Sequence, residues 1–350
     1  MSGNPVTFPS ARQFTQIALE TIQGTPVAGT ATLPLEKFDP EDMVTSNEDK
    51  SNRGSMVEVY DEILGVGHSE CQFSGLVYPD TFGWLLAGIL GDVTSSGATV
   101  VTTATGTSAQ STITVGSASG IAVGQGVTGT GIGASAKVAS IAGLVVTLTV
   151  VNSATVSGSA TFTPPPYLNT FAVSNGGTAF GQPHSYTFTD WSGAGTNQAR
   201  QWPGQVFESV NLKWNANGLF TFDAKTLGWL SVPAGAIPTP NPSSVETIAA
   251  WKAAPTLGGS AVVNMPDGEI SITRKLEVID TTDGSQNPYF IQGGKVGVTF
   301  KFAQVAVDES PLINMLTNVI QAFTVNLADG ATPSATSTGI RMQMSKAKYK

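Results

Sequence analysis

Residue types that usually carry chemistry are sparse in this chain of 350 residues. Its two histidines are His68 and His184, and His68 stands three positions before the single cysteine, Cys71. A cysteine with a nearby histidine can form a thiolate nucleophile. Two such ligands do not make a metal centre, and no carboxylate stands at a recognised metal spacing. The stretch GQGVTG places Gly124, Gly126 and Gly129 in the Gly-x-Gly-x-x-Gly pattern of dinucleotide sites. That chemistry needs a buried strand before the glycines, a helix after them and an acid about 20 residues on. Here no Asp or Glu occurs between Asp92 and Asp190, so the match follows from glycine content alone. The acid pairs Glu41-Asp42 and Glu48-Asp49 offer calcium-type oxygen ligands, and their reading is solvated charge. Glu208 sits on an otherwise apolar strand face, where a glycan hydrolase would need a second carboxylate across a cleft; an ion pair is the expected role. Neither a Gly-x-Ser-x-Gly elbow nor a P-loop lysine is present. The expectation is a chain without catalytic, cofactor-binding or metal-binding residues, requiring no cofactor and not an enzyme.

The elements around these residues are mostly strands. In VFESVNLKWNANGLFTFDAK (206–225), Val206, Val210, Leu212 and Trp214 alternate on one strand, and Phe220, Phe222 and Ala224 on the next. A two-residue turn at Asn217-Gly218 would set Trp214 against Thr221 and mix the faces. A three-residue loop, Ala216-Asn217-Gly218 with Gly218 left-handed, opposes Trp214 to Phe220, Leu212 to Phe222 and Lys213 to Thr221. One residue of slip would flip every side chain, so the three-residue loop is predicted. EISITRKLEVI (269–279) places Ile270, Ile272, Leu276 and Val278 on one face, and KVGVTFKF (295–302) does so with Val296, Val298, Phe300 and Phe302. DTTDGSQNP between them is a turn-rich connection.

Two helices are predicted. DTFGWLLAGILG (80–91) is capped by Asp80 and stopped by Gly91, with a core-facing side. SPLINMLTNVIQAF (310–323) has Ser310 as cap, Pro311 at its first position, and a core stripe of Leu312, Met315, Leu316, Val319 and Phe323. The acidic stretch EKFDPEDMVTSNEDK (36–50) is predicted to be a loop.

Charged residues make up only 12% of the chain, about half the usual share, whereas 41% of residues are hydrophobic. A core can therefore form, and a low-charge surface suits burial in subunit contacts. The net charge of −8 argues against a nucleic-acid-binding protein, but suits a surface that nucleic acid must pass without sticking. A lone cysteine permits no intrachain disulfide. The N-terminal MSGNPVTFPSARQFTQ lacks a signal-peptide core, and the longest apolar runs, 82–90 and 141–151, are too short to span a bilayer. Cytoplasmic synthesis is the expectation.

Residues 97–163 differ in texture: they are almost wholly Gly, Ser, Thr, Ala, Val and Ile, with Lys137 their only charge. STITV (111–115), KVASI (137–141) and VVTLTV (145–150) read as short strands, and TFTPPPY (161–167) closes the segment with a stiff proline run. The expected organisation is a discontinuous main domain, 1–96 with 164–350, carrying a small Ig-like β-sandwich at 97–163.

Five segments in order, ALETIQGTPV (18–27), RGSMVEVYDEILGVG (53–67), PHSYTFTDW (183–191), ARQWPGQVFESVNLKWNANGLFTFDAKTLGW (199–229) and RKLEVIDTTDGSQNPYFIQGGKVGV (274–298), resemble the tail tube (major tail) proteins of long-tailed bacteriophages. The resemblance implies a mainly β fold, a β-sandwich or half-barrel with one or two short flanking helices. It implies a structural subunit that closes into hexameric rings, which stack into the hollow conduit for genome ejection. Its partners would be other copies of itself and the tape measure, tail tip and tail terminator proteins, with DNA passing through without specific binding. The location would be the virion tail, assembled in the host cytoplasm. The alternative is a capsid or tail decoration protein that binds host glycans.

Overall fold

The computed structural model describes residues 13–96, 99–121, 123, 125–163, 168–173, 181–192, 199–243, 245–305, 307–328 and 339–348. Gly124, the prolines of 164–166 and Lys350 lie outside these. Two compact units are present, Met1–Asp92 with Phe171–Phe323 and Met344–Lys350, and Val93–Thr170 with Thr324–Gln343.

The chain opens with strands β1 (Phe14–Leu19), β2 (Ala31–Leu33), β3 (Leu35–Asp49) and β4 (Asp61–Leu76), then helix α1 (Phe82–Leu90). Next come β5 (Gly91–Ser96), β6 (Val100–Gly106), β7 (Thr112–Val115), β8 (Val127–Gly129), β9 (Val138–Ala142), β10 (Val145–Leu148), β11 (Val156–Phe162) and β12 (Leu168–Val173). The remainder comprises β13 (Tyr186–Trp191), β14 (Ala199–Asn215), β15 (Thr221–Gly228), β16 (Val232–Pro233), β17 (Ala254–Leu257), β18 (Ser260–Ala261), β19 (Asp267–Ile279), β20 (Phe290–Ala303), α2 (Ser310–Leu316), β21 (Ile320–Ala328) and β22 (Gly339–Lys348).

β14 organises the first unit. Its N-terminal half pairs with β13 and β16, and its C-terminal half pairs with β15 and β19. The main sheet therefore curls as a half-barrel, running β2-β1-β13-β14 on one side and β20-β19-β14-β15-β4-β3 on the other. Gly204, at φ +70°, supplies the bend between the halves, and a Cβ there would lie 3.0 Å from the Trp229 ring. Inside the curl, Phe73, Phe188, Phe207 and Phe222 meet ring to ring at 5.2–6.3 Å. Helix α1 covers them with Phe82, Leu85, Leu86 and Ile89, as predicted, and Gly88 is the contact point: a Cβ there would meet Phe207 at 2.2 Å. Gly91 stops the helix at φ +101°. Asp80 is not its cap. Thr81 holds that position without a side-chain bond, while the Asp80 carboxylate accepts from Ser243 Oγ at 2.8 Å.

The predicted hairpin register holds, with Leu212 opposite Phe222 and Lys213 opposite Thr221. Two details differ. Gly218 is not left-handed, because Asn215 closes the turn by accepting from Gly218 N on its carbonyl and from Asn217 N on Oδ1. Val206 does not share the face of Val210 and Leu212. A bulge at Glu208, between the Phe207–Thr226 and Ser209–Lys225 pairs, rotates the strand. Phe207 enters the aromatic core instead, and Val206 packs with Leu227 and Ile291 on the opposite face.

The stretch 36–50 is a strand, not a loop. β3 runs antiparallel to β4 for almost its whole length, and its 15 residues reach about 50 Å. Its acids lie on both faces, so no apolar alternation marks it, and the ladder with β4 supplies the pairing. Pro40 is tolerated because β3 is the outer strand of the sheet. The connection after β19 seats at the base of this arm, where Gly67 N donates to the Gln286 carbonyl at 2.8 Å.

The second predicted helix is short. α2 ends at Leu316, Glu309 rather than Ser310 precedes it as cap, and no residue of it is buried. Asn318, at φ +55°, turns the chain, and β-branched Val319 and Ile320 lead into β21. Phe323 is buried as predicted but belongs to that strand, where its ring stacks on Phe300 at 3.9 Å.

In the second unit, strands in the order β8-β11-β6-β7-β10-β9 form one sheet. A bridge between Gly126 and Lys137 joins its two ends, so the sheet closes over Ile113, Val127, Val138, Val146, Val156 and Phe162. STITV, KVASI and VVTLTV fall on β7, β9 and β10. Asn152 fixes the β6–β7 loop by donating to the carbonyls of Thr107 and Thr112.

Candidate assembly surfaces

The residues suited to chemistry are kept apart. His68 and Cys71 are three apart on β4, which turns them to opposite faces. Cys71 is fully buried, and desolvation pushes its thiol well above the ordinary range. His184 is exposed on another segment. Among the described residues no three His, Cys, Asp or Glu side chains gather as metal ligands would, and no helix is long and apolar enough to cross a membrane. Gly126 and Gly129 lie in the sheet of the second unit. Asp42 of the first acid pair accepts from Ser231 N at 2.9 Å, and Asp49 of the second is held by Arg53. Asp190 is buried, and desolvation raises its carboxyl against the hydrogen bond from Thr15.

Glu208 does form an ion pair. Lys225 sits between Glu208 and Glu70 at 3.1 Å from each. Burial opposes the charge of Lys225, but those two carboxylates hold its ammonium above the usual lysine range. The same sheet face continues with Lys213 between Asp223 and Glu269, and Lys301 beside Glu269. The Asp223 hydrogen bond raises Lys213 likewise. Between the charges stand Ser209, Asn211, Ser271, Thr273 and Thr299, at paired positions of neighbouring strands. Three lysines thus face four carboxylates across one broad polar surface, where each charge is zipped to its neighbour. An open hollow lined by Lys213, Asp267, Glu269, Lys301 and Phe302 lies at the end of this surface, and its lysines are paired with Asp223 and Glu269.

A second surface is the β3–β4 arm. Residues 36–62 carry nine acids against Lys37, Lys50 and Arg53. The register sets like charges opposite each other, Glu48 to Glu62 and Asp49 to Asp61, an arrangement that costs stability in an isolated sheet. Met43, Val44, Ile63 and Leu64 are exposed among them. The opposite sign is concentrated on β22, where Arg341, Lys346 and Lys348 are exposed.

The feature that sequence reading missed is Arg274. It occupies a position in the alternation of Ile270 and Ile272, and its side chain is buried beside the end of α1. A basic residue at an apolar-face position was the available signal.

A family model described as phage tail tube protein matches residues 10–348. No curated protein matches the chain.

Proposed function

The chain belongs to the phage tail tube protein family, and from that premise we propose that it closes into hexameric rings that stack into the conduit for genome ejection in a long-tailed phage. The family is a structural one, and its tube is part of the virion tail. The observation that carries the ring is the open sheet: among the described residues β3 pairs with β4 alone and β20 with β19 alone, leaving two long edges, of which that of β20 is capped at Ile291 and Gly293 by Gln23 and Gln182. Such edges call for a partner strand. Two different edges on one chain make a head-to-tail contact, which closes when the rotation allows. Assembly takes place in the host cytoplasm, and the tape measure, tail tip and tail terminator proteins set the length and ends of the tube.

The zipped polar face is the wall best suited to a bore. A chain of −8 gives six copies about −48, and a neutral to acidic lumen lets phosphates slide. The acidic arm and basic β22 of neighbouring subunits meet between rings. Negative-stain microscopy of the purified protein tests the assembly: rings or tubes with a central hole are expected, and a monodisperse monomer that also fails to extend a tail tip counts against it. Exposed charge pairs are screened by salt, so polymerisation slows as ionic strength rises and after removal of residues 341–350. Assembly indifferent to both refutes the electrostatic contact.

Residues 97–163 form a separate module on the outer wall, where there is room that a DNA-carrying bore lacks. β5 and β12, which lead out of and back into the first unit, pair with each other, so a short linker spans the gap, about 5 Å between strands. Joining residue 96 to 164 through Gly-Ser is expected to give narrower tubes of normal length. A folded deletion variant that no longer assembles would make the module part of the tube.

A further inference from the structure

We infer that helix α2 and the segment on either side of it are a subunit contact, buried against a second copy of this chain. The inference rests on the ring reading above. Leu312, Ile313, Met315 and Leu316 are 52%, 52%, 42% and 72% exposed. They occupy four of the seven positions of α2 and form one broad apolar face, opposite Ser310, Pro311 and Asn314. An apolar face of this width is one that another element covers, yet α2 buries none of its residues within the subunit. Val305 and Val307 before it and Ile320 after it are exposed as well. Seven large apolar side chains within residues 305–320 supply roughly half or more of the about 800 Å² that one partner contributes to a standard interface. Scattered apolar residues on a surface need no account, but a concentration of this kind marks an interaction site.

The occupant follows from position. The segment begins two residues after Ala303, the end of β20, and β20 is one of the two long edges of the main sheet, open beyond Gly293. A neighbour that pairs along that edge comes directly onto the segment that continues from it. α2 therefore extends the strand-edge contact with apolar burial, which a row of backbone hydrogen bonds alone lacks.

The test uses the full chain and two substitutions. Leu312→Lys with Leu316→Glu alters exposed side chains, so circular dichroism and the unfolding midpoint stay as in the parent, while rings and tubes are lost. In a separate Leu316→Cys variant, the introduced thiol is the exposed one, because Cys71 is fully buried. Its maleimide labelling is expected to slow at least about tenfold on passing from unassembled subunits to tubes, as burial in an interface requires. A charged double variant that assembles like its parent, together with a thiol labelled equally fast in tubes, overturns the inference and leaves the ring reading standing. Protection that requires another tail protein, and is missing in pure tubes, overturns it by assigning the helix to that partner. A parent chain that never assembles removes the ring reading and this inference together.

Discussion

Arg274→Met is expected to lower the stability of the subunit by about 3 kcal/mol, the cost of leaving buried carbonyls without donors. Only 2% of Arg274 is exposed. Its Nε donates to the Ile89 carbonyl at 3.1 Å, Nη2 to Leu90 at 3.3 Å and Nη1 to Gly181 at 3.4 Å. The first two acceptors belong to the last turn of α1, where carbonyls have no intrahelical partners and the helix dipole is negative. The third lies where the chain returns before β13. One guanidinium thus ties the end of α1 to the segment that leads into β13. Desolvation lowers its pKa, but arginine begins so high that it stays charged. Methionine fills the space and restores none of the three bonds. Lysine keeps the charge but lacks the planar fork, so Arg274→Lys should recover part of the loss. The readout is the denaturant midpoint at unchanged slope; a methionine variant as stable as its parent would show that the clamp is dispensable.

How far the sequence predicted the fold depended on whether burial left a period in it. The hairpin register was readable because Leu212, Trp214, Phe220 and Phe222 alternate against Lys213 and Thr221, and only one loop length satisfies both strands. Helix α1 was readable because its apolar side faces a core and a glycine ends it. The β3 strand was hidden, since beyond Phe38, whose ring packs on Phe188 and Trp202, both of its faces meet water and acids lie on each. Its stability comes from β4, which no local window contains. The stripe of α2 has the right spacing for core packing, but spacing cannot say whether the protein that covers a stripe is the same chain or another. The zipped polar face shows the same limit from the other side: each lysine and carboxylate is ordinary alone, and only the strand order β20-β19-β14-β15-β4 brings them into register. The resemblance in five ordered segments carried the family, and the match over 10–348 shows it.

Phe207→Ala is expected to cost the subunit about 3–5 kcal/mol, a large share of the about 5–15 kcal/mol of a typical domain, whereas deleting the next residue, Glu208, leaves a cooperative fold. Phe207 is fully buried. Its ring lies 5.6 Å from that of Tyr186 and 6.1 Å from that of Phe73, while Val206 points the other way into the cluster of Leu227 and Ile291. Downstream, Val210 and Leu212 face the core again. Glu208 is the extra residue of the bulge: Phe207 pairs with Thr226 and Ser209 with Lys225, which are consecutive on β15. Without Glu208 the two pairs follow each other in a regular ladder, so Phe207, Val210 and Leu212 keep the core face and Val206 and Ser209 the other. The deletion loses the partly exposed ion pair with Lys225, at most about 1 kcal/mol, and the local twist of the bulge. Glu208→Ala loses the ion pair alone. Thermal unfolding followed by circular dichroism should show near-parental transitions for both variants at 208 and a much lower midpoint for Phe207→Ala; a deletion variant without a cooperative transition would mean that the bulge itself holds β14 in place.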